Sequence, residues 1–513
     1  MSLQFIFGNS GSGKSHYLYQ QIVEESIRHP EKNYLVLVPE QFTMQTQKDL
    51  CMAHPRGGIM NIDVLSFGRL AHRVFEETGK ERQPILDDEG KNLVLRKIAG
   101  NYEDELTVLK GNLKKQGYIS EVKSVISEFT QYGIDFEQLD FFMEGLNPES
   151  YLYYKLKDIR KVYEGFEDYL RDKYITKEEL LDVLSQTVPE AKMLKDSVIA
   201  MDGFTGFTPV QNRLIGELLK VCDKIMLTVE IDRREDPFVY NHPYQLFALS
   251  KQMVTSLTEV AQEVRVEIDE PVWLCKNPSY RFKENPEMAF LEEELFRYSR
   301  RKYSGEKMRS ISLHEVHTPQ EEAQYVAEEI RRLVREEGYR YREIAVIASD
   351  LSTYADALEK ACDRYEIPVF MDHKKSILLN SFVEYLRSLL VMVEQNYTYE
   401  SVFRYLRTSL CGFTRDEVDR LENYCLALDL KGFKKWDQVW VRKTPMTTKE
   451  ELEELNHLRM RFVEKLTPLH TVLKKRKKTV KEITLAVYEY LVQEKIQEQL
   501  AELEQKFQED GEL

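Results

Sequence analysis

The sequence predicts an α/β protein with two parallel sheets, each interrupted by a helical insertion, and three observations carry that expectation. A glycine-rich loop, Gly8-Asn9-Ser10-Gly11-Ser12-Gly13-Lys14-Ser15, stands between an apolar run and a helical pattern. Short apolar runs alternate with helical stretches in residues 1–86, resume after 196, and recur over 308–376. In two long stretches, 87–195 and 377–513, strand signals disappear and Leu, Lys, Glu and Tyr recur at helical spacing.

Taken in order, residues 3–7 form the first strand, the glycine-rich loop follows, and 15–27 carry a helical pattern. Tyr34-Leu35-Val36-Leu37-Val38 is a second strand, ended by Pro39, which cannot continue a ladder. Residues 62–66 are a third strand, followed by a helix over 68–77. The stretch 87–195 reads as a helical insertion, with 151–169 its clearest helix. The sheet then resumes at 197–202 and 224–229. A second α/β unit begins near 308, with strands at 310–316, 344–348 and 367–371 and a helix over 321–336. The expected domains are therefore 1–86 with 196–307, the insertion 87–195, the start of a second sheet domain at 308–376, and a second helical insertion at 377–513. No compact terminal domain follows, so the chain reads as stopping partway through a larger architecture.

A chain of 513 residues is too long for one core and predicts several domains. Hydrophobic residues make up 42% and charged residues 31%, which describes an ordinary soluble protein rather than a disordered one. No apolar stretch approaches the roughly 20 residues needed to span a bilayer. The N-terminus runs straight into the first strand without a basic leader or cleavage site, so the expected location is cytoplasmic, with no membrane partner. The six cysteines form no CxxC pair and read as free thiols. His314 and His317 look metal-like, but on a strand residues i and i+3 point to opposite faces. A net charge of −15 argues against a protein that simply coats nucleic acid. It leaves room for a local basic patch, for which Lys474-Lys475-Arg476-Lys477-Lys478 is the candidate, with a solvated helix end as the plainer reading.

The glycine-rich loop has the P-loop pattern Gly-x-x-x-x-Gly-Lys-Ser in its required strand–loop–helix setting. Glycines let successive backbone N–H groups turn inward on phosphates, and the following helix N-terminus adds its positive dipole end. Gly8, Asn9, Ser10, Gly11, Ser12, Gly13, Lys14 and Ser15 are thus the expected ATP-binding residues, with Lys14 on the β/γ-phosphates and Ser15 on Mg2+. A P-loop also needs an acidic residue at a neighbouring strand end, and Asp202 fits, giving Ser15 and Asp202 as the expected Mg2+ residues. In helicase-type P-loop hydrolases the next residue is usually a Glu that activates water; here it is Gly203, which accepts no proton. No catalytic residue is assigned, and ATP binding is better supported than fast hydrolysis.

At this point the motifs resemble a family. The P-loop, Val38-Pro39-Glu40-Gln41-Phe42-Thr43, Asp63-Val64-Leu65-Ser66-Phe67-Gly68-Arg69-Leu70 and Met201-Asp202-Gly203-Phe204-Thr205-Gly206-Phe207-Thr208-Pro209-Val210-Gln211 occur in the order found in the AddB subunit of bacterial AddAB helicase–nucleases. The segments 321–327 and 339–347 are similar to the same family. The resemblance covers essentially the whole chain, and the stretch around Asp202 is its most specific part. It implies a superfamily 1 helicase-like fold with two RecA-like sheets. It also implies work on DNA double-strand breaks in recombinational repair, as a heterodimer with an AddA-type helicase–nuclease subunit, acting on single-stranded DNA and double-stranded ends. In the family the AddB core is regarded as a degenerate motor that scans for a hotspot sequence, which suits Gly203. Members also carry a C-terminal nuclease region with an iron–sulfur cluster. This chain stops before that region and its cysteines are unclustered, so neither is carried over.

In helicase-like folds the segments after the second and third strands line a single-strand channel where aromatics stack bases. Gln41, Phe42, Thr43, Ser66, Phe67 and Arg69 occupy those places, with core packing as the plainer role for Phe42 and Phe67. Thr205 and Gln211 would relay between nucleotide and DNA on the resemblance alone. Glu230-Ile231-Asp232-Arg233-Arg234 and Asp372-His373-Lys374-Lys375 resemble two halves of a nuclease signature, but they fall in different predicted domains, whereas such a site gathers its carboxylates around shared ions. Both read as strand ends or turns. The alternatives to the leading reading are a self-sufficient ATP-driven helicase and a P-loop small-molecule phosphotransferase, which the two-sheet order disfavours.

Overall fold

The computed structural model describes residues 1–79, 84–112, 115–171, 173–305, 308–372, 376–408, 410–445 and 447–509. The chain divides into two compact units, Met1–His314 and Glu315–Leu513.

The first unit is built on a parallel sheet. Its strands are β1 (Ser2–Gly8), β2 (Tyr34–Leu37), β3 (Ile62–Leu65), β6 (Val198–Met201), β7 (Lys224–Glu230), β8 (Glu267–Ile268) and β9 (Val272–Trp273); β4 (Ile85–Leu86) and β5 (Ile175–Thr176) pair separately. The order is β3-β2-β6-β7-β1-β8, with β9 also on β1, and every pair is parallel. Parallel sheets are stable when both faces are covered, which is why these strands read as nearly unbroken apolar runs. One face buries Ile6, Val36, Ala200 and Met226 under Leu18, Ile22 and Val23 of α1 (Lys14–Arg28) and Leu50 of α2 (Thr43–Ala53). The other buries Phe5, Phe7, Leu37, Ile199 and Leu227 under α3 (Phe67–Thr78), α8 (Leu180–Thr187), α9 (Pro209–Leu219) and α10 (Ala248–Glu263).

The insertion has its own core, in which Leu95, Ile119, Leu139, Val162 and Phe166 meet. These come from α4 (Asp88–Asn101), α5 (Gln116–Tyr132), α6 (Phe136–Glu144) and α7 (Tyr151–Leu170). Their starts are set by side-chain caps: Asp87 accepts from the Gly90 amide and Ser150 from the Tyr153 amide. The sequence reading runs the insertion to 195, but Leu180, Leu184, Val188, Ala191 and Leu194 pack into the sheet core instead. Their apolar stripe is buried against α3 and α9 of the sheet layer. The unit closes with α11 (Pro286–Glu294).

The second unit begins with α12 (Pro319–Glu336) and α13 (Leu351–Arg364), packed through Ala327, Ile330, Cys362 and Ile367. The expected second sheet is not formed: among the described residues 310–316, 344–348 and 367–371 have no ladder partner. The physical reason is coverage. The helix pair buries a small core and leaves Val346, Ile347 and Phe370 exposed, and a parallel sheet needs a layer on each face. Strand alternation therefore says nothing about His314 and His317. The rest of the unit is helical, as expected: α14 (Ser381–Glu394), α15 (Tyr399–Leu406), α16 (Arg415–Leu428), α17 (Phe433–Asp437), α18 (Lys449–Leu473), α19 (Val480–Gln493) and α20 (Ile496–Glu509). Its core centres on Trp436, Phe462, Tyr385 and Tyr405. The basic run 474–478 forms the exposed turn between α18 and α19, where Lys478 donates to the Leu473 carbonyl at the end of α18. Among the described residues no helix is long and apolar enough to cross a membrane.

Candidate nucleotide-binding site

The P-loop leaves the tip of β1 at Gly8 and enters α1 at Lys14. Gly11 and Gly13 have φ of 71° and 93°, a left-handed conformation that only glycine adopts cheaply, so they turn the chain into the helix. A Cβ on Gly8 would run into Ser12 Oγ and Lys14 Cγ, so the loop is closed around its own backbone. Lys14 Nζ donates to the Asn9 carbonyl at 3.0 Å. Burial pushes the Lys14 ammonium below its ordinary pKa, with Glu230 and Asp202 pulling it back up.

Asp202 follows β6, which places it beside the P-loop across β7. Its carboxylate is buried and held at both oxygens: Tyr19 Oη donates to Oδ2 at 2.8 Å and Thr228 Oγ1 to Oδ1 at 2.5 Å. Gly203 follows with φ 76°, its open side against Pro39 and Phe42.

The structure adds residues that the motif does not contain. The Arg281 amide donates to the Gly11 carbonyl at 3.0 Å, and a Cβ on Gly11 would lie 2.7 Å from Arg281 Cβ and 3.2 Å from Ser279 Oγ. Arg281 is thus a second cation beside Lys14, and it also lowers the Lys14 pKa. Asn9 Nδ2 donates to both oxygens of Glu292 on α11, at 3.2 and 3.1 Å. Glu230 ends β7 on the same face as Thr228, two residues on, which brings its carboxylate to the Lys14 side. No local pattern marks these contacts, because each joins segments far apart in the chain.

Three buried polar atoms around the loop have no hydrogen-bond partner: Asn9 Oδ1, Ser12 Oγ and Ser279 Oγ. Buried polar atoms are rarely left so; the two serine hydroxyls can each donate to an anionic oxygen, whereas Asn9 Oδ1, an amide oxygen, only accepts. A cavity of about 270 Å3 adjoins the loop, lined by Asn9, Arg233, Cys275, Lys276 and Asn277 among others.

Of the six residues read as DNA-facing, three are taken up by the fold. Thr43 Oγ1 donates to the Glu40 carbonyl, Ser66 Oγ caps α3 by accepting from the Arg69 amide, and Phe67 packs against Phe204 and Phe207. Gln41 and Arg69 are exposed, and Phe42 is 48% exposed in a 3-10 turn, Glu40–Phe42, that leads into α2. Thr208 and Gln211 form a reciprocal cap on α9, so the Gln211 side chain is engaged locally. Asp232 is held by Arg234 and by Arg297 at 2.6 Å, an ion-pair cluster that pins the turn after β7. Residues 373–375 of the other half-signature lie outside the described residues.

Comparison with known proteins adds two family matches, ADDB, N-terminal, over residues 5–292 and UvrD-like helicase C-terminal domain over residues 281–512. The chain is 40% identical to the B subunit of an ATP-dependent helicase/deoxyribonuclease of Lachnoclostridium phytofermentans, covering 100% of this chain and 45% of the relative. A protein of the same name from Clostridium perfringens is 34% identical over 96% of this chain and 43% of its own length. One from Acetivibrio thermocellus is 31% identical over 100% and 45%. The chain thus spans less than half the length of these relatives. The UvrD-like match agrees with a superfamily 1 helicase-like α/β fold, and, with the P-loop sheet of the first unit, the chain belongs to the AddB family.

Proposed function

We propose that this chain is the nucleotide-binding and DNA-engaging N-terminal part of an AddB-type helicase–nuclease subunit that processes DNA double-strand breaks for recombinational repair. The observation that carries the nucleotide reading is the pair of buried hydroxyls, Ser12 Oγ and Ser279 Oγ, that have no partner among the described residues, around a P-loop that already presents Lys14. ATP phosphates would be held by the 8–15 backbone and Lys14, with Arg281 as a second cation and Ser15 and Asp202 toward Mg2+. Bound Mg2+ would neutralise phosphate charge and orient the triphosphate. The adjoining cavity offers room for the nucleoside.

Gly203 supplies no carboxylate and its left-handed backbone disfavours one. This supports a degenerate motor, slow in hydrolysis, that tracks single-stranded DNA for a hotspot sequence while an AddA-type partner drives translocation. Gln41, Phe42 and Arg69 are the exposed residues in this reading that would meet DNA. Glu230 favours a second reading: it is a carboxylate on the Lys14 side of β7, where it would serve a self-sufficient ATPase.

Lys14→Ala tests the site. It is expected to weaken binding of a fluorescent ATP analogue with Mg2+ by roughly 100-fold or more, because a buried charge-assisted contact is lost. Unchanged affinity would remove the P-loop from nucleotide binding. Brisk turnover stimulated by single-stranded DNA in the unaltered chain would replace the degenerate-motor reading with the second one.

A further inference from the structure

We propose that Tyr19 is a positioning residue that couples the nucleotide site to the exposed, DNA-facing turn Glu40–Phe42 through one shared hydroxyl. The inference rests on the nucleotide reading above and on the assignment of the 40–43 turn to DNA.

Tyr19 stands on α1, five residues after Lys14. Its hydroxyl is 2.8 Å from Asp202 Oδ2 and 3.3 Å from Thr46 Oγ1 on α2. A phenol has one proton, and an ionised carboxylate only accepts, so Tyr19 donates to Asp202 and Thr46 donates to Tyr19. Thr46 is itself buried, one turn into the helix that opens directly from Glu40–Phe42. A chain of two hydrogen bonds therefore runs from the Asp202 carboxylate to the root of the exposed Phe42 turn. The same turn touches the other side of the site, since Phe42 and Pro39 lie 3.7 and 3.6 Å from the place of a Gly203 Cβ. The segment 39–46 thus reaches Asp202 through Tyr19 and lies directly beside Gly203.

The other hydroxyl on the Asp202 carboxylate, Thr228, comes from β7 inside the sheet. Among the described residues, of these two hydroxyls it is Tyr19 that also bonds to α2. With Mg2+ bound near Asp202, the carboxylate would accept less strongly from Tyr19, and the Tyr19–Thr46 contact and the seating of α2 would respond. By linkage, DNA that favours one seating of α2 must alter nucleotide affinity by the same factor as nucleotide alters DNA affinity.

The test uses the full chain, Tyr19→Phe and Thr46→Val. Binding of a fluorescent ATP analogue with Mg2+ is measured with and without oligothymidylate, and oligothymidylate binding with and without the analogue. In the unaltered chain each ligand is expected to change the affinity of the other by about 5- to 150-fold. Tyr19→Phe keeps the ring and removes only the hydroxyl; it is expected to bring that factor close to one, with some loss of nucleotide affinity because Asp202 loses a donor. Thr46→Val cuts the same chain from the other end without touching Asp202, and is expected to bring the factor close to one while each ligand alone binds nearly as before. A coupling factor that survives Tyr19→Phe overturns the proposal, as does a loss of separate affinities with coupling intact, the mark of a merely bracing role. An unaltered chain that binds nucleotide but shows no coupling, or no DNA binding, overturns it too. Failure of the unaltered chain to bind the analogue, or of Lys14→Ala to weaken it, would instead sink the nucleotide reading itself.

Discussion

Two regions of this molecule carry the same kind of sequence signal and fold differently. Tyr34-Leu35-Val36-Leu37 in the first unit and Ile344-Ala345-Val346-Ile347 in the second are both short apolar runs between turn residues and helices. The first is a central strand, paired on both sides and buried under helices on both faces. The second is extended, without a ladder partner, and Ile347 is 94% exposed. The difference teaches that β propensity describes fitness for a covered surface rather than a backbone preference. Where α1 and α2 on one side and α3, α8, α9 and α10 on the other supply the cover, the sheet forms. Where α12 and α13 cover Ile367 and part of Ile344 but leave Val346 and Ile347 exposed, it does not.

The sharpest way to break this comparison is a matched pair of truncations. Leu37→Ala, fully buried, is expected to cost ~2–5 kcal/mol in urea unfolding of the first unit. Ile347→Ala is expected to stay within about 0.5 kcal/mol. A comparable loss at both positions would mean that 344–348 is covered in solution and that the contrast is wrong.

A smaller effect probes the backbone beside Asp202. Gly203→Glu introduces a side chain at φ 76° and is expected to cost about 1–2 kcal/mol of thermal stability without raising ATP turnover. Increased turnover would show that the site lacks only a carboxylate and that the left-handed backbone is no obstacle.

The smallest expected effect belongs to the insertion, where a half-buried acid, Glu167, sits near a second one, Glu179. Burial, reinforced by Glu179, pushes the Glu167 carboxyl up to about 7. The folded state then holds the proton more tightly than the unfolded chain, so this group stabilises as pH falls from about 7 toward its ordinary 4.5 and loses that contribution as pH rises through 7. Glu167→Gln is expected to flatten this part of the pH–stability profile and to raise the melting temperature at pH 8. A profile identical to that of the unaltered chain would place Glu167 in solvent.

Much of the first unit is legible from the sequence. The strands at 3–7, 34–38, 62–66, 197–202 and 224–229 all appear within a residue or two, since a strand buried on both faces must be apolar along its length. β8 and β9, of two residues each, leave too short a pattern to read. The sequence reading places the α8 segment in the wrong core, because its apolar stripe shows that it must be buried but not against what.

At the site, the sequence by itself determined the P-loop. Its glycines, lysine and flanking elements are local requirements, met within eight consecutive residues, and Asp202 follows from its place at a strand end. Tertiary structure alone decided the rest. It brought Ser279 and Arg281 against Gly11, tied Asn9 to Glu292, joined Tyr19 to Asp202 across 183 residues, and turned Ser66 and Thr43 into caps rather than free surface. It also withheld a second sheet from runs that look like strands. The physical reason is common to all of these: a local pattern specifies backbone geometry and which face must be buried, while the identity of the partner depends on which distant segments are left to cover it.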